Sequence, residues 1–416
     1  MSAAEFPELS LTERDGRWAR VRAFMRERGL DALIAFGLKG REQVDHYLTN
    51  DRTGGIVVFP LDGALVHLTW TNFDIAAHSE SALRGEPSWV EDVRVGASGA
   101  GVVKVLREKG LDKGCVGVLG LDAELPGESE GWVPYKTWTR ILEQLPGAKW
   151  IEASADFFRL MLVKSKEELK LLRKAAAIGE FACETMLETA RPGVSESEVY
   201  AAVMATLYRC GARGSVSPYI TPLILQSGAD NPGWGAPMWL MRGQRPRTLQ
   251  AGDLIQAEIF SAYGSLESQQ QMSVALKPLH PINKECAQVA RAAYEVGLRT
   301  LKPGMTFGRV AEAMEAPLAD ADCWHLTPLI HSLNPLAVVS ATGVRMREKM
   351  SGSEKYVGIQ SRPAKEGELV IQPGMVFAFE PNACKGRRRV NIGGTVIVTE
   401  NGVEELNKLA AEMRVK

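Results

Sequence analysis

Two hydrophobic periods alternate along the first ~155 residues. Between Leu11 and Arg28, the apolar residues Val21, Phe24 and Met25 fall at helical spacing. Thr12 with Asp15 forms a start signal and Gly29 a stop, so the segment predicts an amphipathic helix. Ala32 to Phe36 is an unbroken apolar run of strand length. Gly55 to Pro60 and Ala64 to Thr69 flank Leu61-Asp62-Gly63, the pattern of a β-hairpin. Val102 to Lys109 predicts a helix, and Cys115 to Leu119 a strand. Helices and strands in this alternation predict an α/β domain with a mixed sheet.

The pattern changes between Ala153 and Lys166, where a long helix running to about Ala190 is predicted. We place a boundary there, giving domains 1–157 and 158–416 with no Gly/Ser-rich linker between them. The second half carries a faint repeat. Arg191-Pro192-Gly193-Val194-Ser195 follows one long helical pattern, and Lys302-Pro303-Gly304-Met305-Thr306 follows another. In each, a helix ends, Pro-Gly turns the chain, and Ser or Thr caps the next helix. The repeat predicts an α+β domain of two related halves.

Composition narrows the function classes. The 416 residues are 45% hydrophobic and 24% charged, with net charge −1, as in globular proteins. That balance gives no electrostatic reason for a nucleic-acid or membrane partner. No apolar run reaches the ~18 residues of a membrane helix, and the start lacks a basic segment followed by an apolar one. The six cysteines form no Cys-x-x-Cys pair, and most sit among apolar neighbours. Reduced thiols and a cytoplasmic location are the expectation.

The candidate chemistry lies in the second half. Glu380 ends the apolar run Met375 to Phe379, where a charged side chain is costly unless it has a role. His331 stands among Leu329, Ile330 and Leu333, as either a core histidine or a site residue. His325 reads as a surface or outer residue and His280 as a turn residue. The triplet Arg387-Arg388-Arg389 is a solvated loop or, on the sharper reading, brings one guanidinium to an anionic substrate group. Trp234, Met238, Trp239, Met241, Trp324 and Tyr219 form either core or an aromatic wall around a pocket.

Several landmarks occur in one order. They are Val163-Lys-Ser-Lys-Glu-Glu-Leu169, the two Pro-Gly turns, Gly252-Asp-Leu-Ile255, Pro373-Gly-Met-Val376, Phe379-Glu-Pro381 and Val398-Thr-Glu-Asn-Gly402. Together they resemble the creatinase / aminopeptidase P / methionine aminopeptidase ("pita-bread") family, and the first domain resembles that of creatinase and aminopeptidase P. The resemblance implies an α/β N-terminal domain and an α+β pita-bread C-terminal domain with an internal pseudo-twofold repeat.

It also implies a site, and here the chain departs from its metalloenzymes. The family's metal-ligand positions fall on Glu258, Gln269, His331, Glu380 and Gly393. Two assisting histidines, expected in Gln226 to Gly235 and near Val338, are absent. Two divalent ions about 3.5–4 Å apart need several carboxylates, so we expect no cofactor. The alternative is a single divalent ion at Glu258, His331 and Glu380. Creatinase, the family's metal-free precedent, shares the His331-Ser332 and Glu380-Pro381 pairs, but Gln271 stands where it has a glutamate.

On this resemblance we expect a homodimeric, metal-independent hydrolase or lyase of a small, carboxylate-bearing molecule. Glu380, Glu258 and His331 would carry acid–base chemistry. Gln269, Gln271, Trp234, Trp324, Arg388 and Arg52 would hold substrate, Arg52 across the dimer. The alternatives are an Xaa-Pro aminopeptidase-like metallopeptidase with one metal and a non-catalytic ligand-binding protein.

Overall fold

A computed structural model describes residues 6–37, 44–51, 54–122, 130–215 and 222–416. The chain divides into two compact units. One is Glu8–Met161, and the other is Leu162–Lys416 together with Phe6 and Pro7.

The first unit begins with α1 (Leu11–Arg28). Its cap is Ser10 rather than the expected Thr12, with Ser10 Oγ accepting from the Glu13 N–H at 3.1 Å. The helix also buries a charged pair that periodicity does not reveal. Arg17 Nε lies 2.8 Å from Glu13 Oε1, and its guanidinium sits over the Tyr47 and Trp89 rings. The chain continues through β1 (Ala32–Phe36), α2 (Val44–Thr49), β2 (Ile56–Pro60), β3 (Val66–Thr69), α3 (Asn72–Leu83) and β4 (Val93–Val95). It closes with α4 (Gly99–Glu108), β5 (Cys115–Leu119), α5 (Tyr135–Gln144), β6 (Lys149–Glu152) and α6 (Ser154–Met161). The six strands order as β4-β3-β2-β1-β5-β6. β2 pairs antiparallel with β1 and β3 through the expected hairpin, and the outer pairings are parallel. This is the mixed sheet of an α/β domain.

The second unit opens on α7 (Lys166–Thr189), started by a capping box in which Ser165 and Glu168 each bond the other's backbone N–H. Then come α8 (Glu196–Arg209), β7 (Leu223–Gly228), α9 (Met238–Arg242), β8 (Leu254–Tyr263) and β9 (Leu266–Ala275). The second half repeats the plan with α10 (Pro281–Thr300), α11 (Phe307–Asp320), β10 (Ile330–Ser332) and β11 (Val376–Phe379). A hairpin of β12 (Asn382–Lys385) and β13 (Arg388–Asn391) follows, then β14 (Gly394–Thr399) and β15 (Gly402–Glu405). His280 caps α10, its Nδ1 accepting from the Ile282 N–H at 3.2 Å.

The internal repeat is visible in the backbone. Gly193 and Gly304 turn the chain at φ +89° and +85°, a region that favours glycine. Each donates its N–H over 2.9 Å to a distant carbonyl, Leu249 for one and Ile371 for the other. Glu196 and Phe307 then repeat the tie to Arg247 and Leu369, again at 2.9 Å. Two antiparallel ladders, β7-β8-β9 and β10-β11-β14, complete the two halves. This is the pita-bread fold with its pseudo-twofold repeat.

β8 and β9 are buried almost end to end, although β9 carries Gln269, Gln270 and Gln271 in succession. Strand alternation explains how three buried glutamines coexist. Gln270 turns to the helix side, where its Nε2 donates to Ala176 O and Glu180 Oε2. Gln269 and Gln271 turn to the opposite face with Glu258, which is paired with Gln271 across the strands. No helix among the described residues is long and apolar enough to cross a membrane.

Gly297 fits α10 against the strand that leads to Glu380. A Cβ there would lie 2.6 Å from the Phe379 ring and 2.7 Å from Met314 Sδ. Alanine gains up to about 1 kcal/mol of helix propensity, but overpacking a filled core costs about 1–3 kcal/mol. We expect Gly297→Ala to lower stability by about 1 kcal/mol in urea unfolding. An unchanged or raised midpoint would show that Phe379 and Met314 yield without cost.

Candidate active site

Four strands bring the site together. Glu258 projects from β8, Glu380 lies at the end of β11, His331 is on β10 and Arg389 is on β13. All four are at least nine-tenths buried. The β10–β11 ladder pairs His331 with Ala378, and the Glu380 N–H donates to Leu329 O at 3.0 Å. That register sets His331 Nε2 3.2 Å from Glu380 Oε1. His331 Nδ1 lies 2.9 Å from Ser332 O. A carbonyl can only accept, so Nδ1 carries a proton and donates to it, which leaves Nε2 to face the Glu380 carboxyl.

Glu258 and Glu380 are hydrogen-bonded to each other. Burial pushes both above the ordinary carboxylate range, Glu380 to about 7 and Glu258 well beyond its usual value. They differ in their surroundings. The charge of Glu380 raises Glu258 further, whereas Glu380 is favoured as an anion by bonds from Glu258 and Thr327; the Arg389 charge favours both anions, and a bond from Trp234 partly offsets the rise at Glu258. Burial and mutual repulsion keep the two groups from ionising together near neutrality, and the surroundings favour the anion on Glu380.

Arg389 supplies the fixed positive charge. Its Nε donates to Asn382 Oδ1 at 3.3 Å, Nη2 to Thr327 Oγ1 at 3.1 Å, and Nη1 to Gly233 O and Gln256 Oε1, both at 3.4 Å. Every acceptor is neutral, so the charge remains available to the two glutamates. The bond to Gly233 also ties down the loop carrying Trp234, whose side chain bonds Glu258. Asn382 links the parts, with Nδ2 donating to Glu380 O and to Thr327 O.

The structure redistributes the expected substrate residues. Arg389, not Arg388, is the guanidinium beside the carboxylates. Adjacent strand residues face opposite ways, and Arg388 pairs with Lys385 across the hairpin. Trp324 is core, since its backbone bridges Cys384 and its Nε1 donates to Gly386 O at 3.0 Å. Trp234 does reach the site, and Met238, Leu240 and Met241 are exposed on the neighbouring α9. Gln269 is tied up, donating its amide to Glu267 Oε1 at 3.0 Å. Gln271 is the opposite case: both amide atoms are buried and, among the described residues, make no hydrogen bond. Glu258 Oε1, across the ladder from it, is likewise buried and without a partner among the described residues. His325 is an outer residue, held between Thr327 O and Glu315 Oε1. Arg52 and Tyr219 lie outside the described residues.

Arg389, Thr327, Asn382 and Gln256 are the participants that sequence reasoning missed. One signal was present. The Lys385-Gly386-Arg387-Arg388 turn fixes the hairpin register, and register decides which arginine points inward.

Comparison with known proteins places this geometry. Residues 170–400 match the profile of metallopeptidase family M24, and residues 17–161 match the creatinase/prolidase N-terminal domain. Creatinase from Bacillus sp. (strain B-0618) is 22% identical over 97% of this chain and 92% of its own. An Xaa-Pro dipeptidase from Lactobacillus delbrueckii subsp. lactis is 24% identical over 65% of this chain and 67% of its own. The solved Xaa-Pro dipeptidase from Bacillus anthracis superposes with a TM-score of 0.71 at 21% identity, covering 97% of this chain and all of that one.

The match to a metallopeptidase family overturns the expectation that no cofactor is involved. The chain's own residues still do not make up a two-metal donor set. A Cβ at Gly393 would lie 1.9 Å from the backbone carbonyl oxygen of Phe379, so no ligating side chain fits there without moving the backbone, and one at Gly394 would have to displace the Asn407 side chain. Gln269 is engaged elsewhere. The alternative of a single ion at Glu258, His331 and Glu380 is not supported either. Among the described residues, the one trio of ligand-type side chains with donor atoms all within 4.8 Å is Asp51, His67 and His78. The two profile matches together span both units, and the chain belongs to metallopeptidase family M24, a hydrolase of the creatinase/Xaa-Pro peptidase type.

Proposed function

We propose that this hydrolase cleaves an amide-type C–N bond in a small polar molecule, with Glu380 as general base and Glu258 as general acid. The observation that carries the reading is a pair of buried carboxyl groups, Glu258 and Glu380, with His331 3.2 Å from one of them. Two acids in near contact, pushed apart in acidity by their surroundings, provide a base and an acid at the same pH.

In this reading Glu380 takes a proton from water as the oxygen adds to the substrate carbonyl. The tetrahedral adduct collapses, the C–N bond breaks, and Glu258 gives its proton to the departing nitrogen. The products are a carboxylic acid and an amine. Glu380 now holds the proton and Glu258 is the anion, and their mutual hydrogen bond returns the proton for the next cycle. His331 keeps Glu380 oriented. Arg389 offsets the negative charge that develops during addition.

Substrate recognition shifts from arginine to glutamine. Arg389 has its N–H groups engaged, whereas the Gln271 amide offers an unused donor and an unused acceptor beside the unused Oε1 of Glu258. Leaving such groups buried and unsatisfied costs about 1–3 kcal/mol each, which a bound polar substrate would recover. Trp234 would close one side of the site.

Activity should rise with pH through about 7, as Glu380 ionises, and fall again where Glu258 loses its proton. A screen of Xaa-Pro dipeptides, N-acyl amino acids and guanidino acids by thermal shift, followed by amine release, supplies the assay. Glu380→Gln should lower kcat by about 10²–10⁴-fold while ligand-induced stabilisation persists. Wild-type turnover by that variant would sink the assignment.

Gln271→Leu should raise KM more than it lowers kcat, by about 10-fold for the loss of one or two hydrogen bonds. A kcat loss at unchanged KM would move Gln271 from binding to chemistry.

A raised acid pKa also fixes the sign of a stability effect. The folded state keeps the Glu258 proton above the pH at which the unfolded chain releases it, so stability falls as pH rises above the unfolded value. Glu258→Gln removes this penalty. We expect the variant to melt higher than wild type at pH 8, by about 2–4 °C per kcal/mol relieved, and to match it near pH 4. Equal melting curves at both pH values would show that Glu258 is not held protonated.

A further inference from the structure

The first unit carries a second cluster of chemistry that the hydrolytic reading does not use. Asp51 follows α2, His67 lies in the middle of β3, and His78 is on the second turn of α3. Their donor atoms all lie within 4.8 Å of one another. His78 Nε2 is 2.6 Å from Asp51 Oδ2, and His67 Nδ1 is 3.9 Å from the same oxygen. The two imidazole rings meet edge to face, with centroids 6.5 Å apart.

His67 is the informative member. It has no solvent exposure, and among the described residues neither ring nitrogen makes a hydrogen bond of good geometry. Its Nε2 edge is closed by the backbone of Gly55, where a Cβ would meet Nε2 at 2.6 Å and Leu68 O at 2.4 Å. Only Nδ1 is left to face the cluster. A fully buried imidazole with no hydrogen bond of good geometry among the described residues, set beside a carboxylate and a second imidazole, leaves polar atoms unsatisfied in the core. The same three groups are a good way to hold a cation.

We propose that Asp51, His67 and His78 bind one divalent transition-metal ion of the zinc class. Two imidazoles and one carboxylate form a three-ligand set that leaves a fourth position open. Metal–ligand bonds of about 2.0–2.2 Å set neighbouring donors of a tetrahedral site about 3.3 Å apart. The observed 2.6 Å and 3.9 Å separations lie on either side of that value, each within about 0.7 Å, and all three donors lie within 4.8 Å of one another, so the shifts needed to seat an ion are small. A cleft of about 250 Å³, lined by Asp51, His78, Ser81, Glu86, Ser88 and Trp89 among others, opens onto Asp51 and His78. It supplies both an entry path and room for a water or small anion in the open position. The site lies wholly within the first unit and does not depend on the reaction assigned to the second.

The test uses the full chain, stripped with a chelator and titrated with ZnCl₂ by calorimetry, with Co²⁺ absorbance as a second readout. His78→Ala and Asp51→Asn are compared with wild type, since both side chains lie partly in solvent and their loss leaves the β-sheet intact. Wild type should take up one more equivalent of zinc than either variant, and affinity at that site should fall about 100-fold or more in the variants. Wild type alone should show the Co²⁺ bands of tetrahedral coordination. Equal zinc stoichiometry in wild type and in whichever variant retains its native circular dichroism would overturn the proposal, as would no zinc uptake by wild type.

Discussion

One proton has to serve two buried carboxyl groups, and much of the second unit is arranged around that constraint. Removing Glu258 and Glu380 from water makes two adjacent negative charges untenable, so one acid stays protonated. Which one is decided by the Thr327 bond to Glu380 and by the direction of the hydrogen bond between the two acids. Arg389 limits the cost by placing a guanidinium beside the pair, held on neutral oxygens. Its position depends in turn on the β12–β13 hairpin and on Asn382, which bonds Arg389, the Glu380 carbonyl and the Thr327 carbonyl. Loss of one member would disturb the protonation of the others, because all of them act on the same proton.

The sheet makes this tolerable by sorting polarity along each strand. On β9, Gln270 satisfies α7 while Gln269 and Gln271 face the site. The structural glutamines are bonded and Gln271 is not. An unsatisfied buried amide and a strongly shifted glutamate lower the stability of the fold, and both sit where a substrate would repair the deficit. Stability is given up locally, in the place where binding can restore it.

Much of the architecture was legible because it rests on local rules. Pro192-Gly193 and Pro303-Gly304, followed by the N-cap residues Ser195 and Thr306, mark the two halves by turn chemistry, although only Ser195 caps through its hydroxyl. The Leu61-Asp62-Gly63 hairpin and the α7 start were legible for the same reason. Glu380 stood out because a carboxylate at the end of an apolar strand is costly to bury. What escaped depended on parity and on long-range partners. Arg388 and Arg389 differ only in which side of β13 they occupy, and a one-residue ambiguity reverses that answer. Trp324 is aromatic and lies next to site residues in sequence, yet its indole N–H is spent on Gly386 O. The Asp51, His67 and His78 trio joins the end of a helix, a strand and a second helix, and no spacing rule brings those three together.

Gly393 limits the chemistry of the site as well as its shape. Its φ of +144° and the 1.9 Å approach of Phe379 O to any Cβ mean that the backbone fills the volume a side chain would need. A glutamate introduced here would meet a closed position, and opening it would displace the Phe379 carbonyl and with it the adjoining Glu380. A side chain at position 393 and the present seating of Glu380 exclude each other, so the chemistry has to come from the groups already in place.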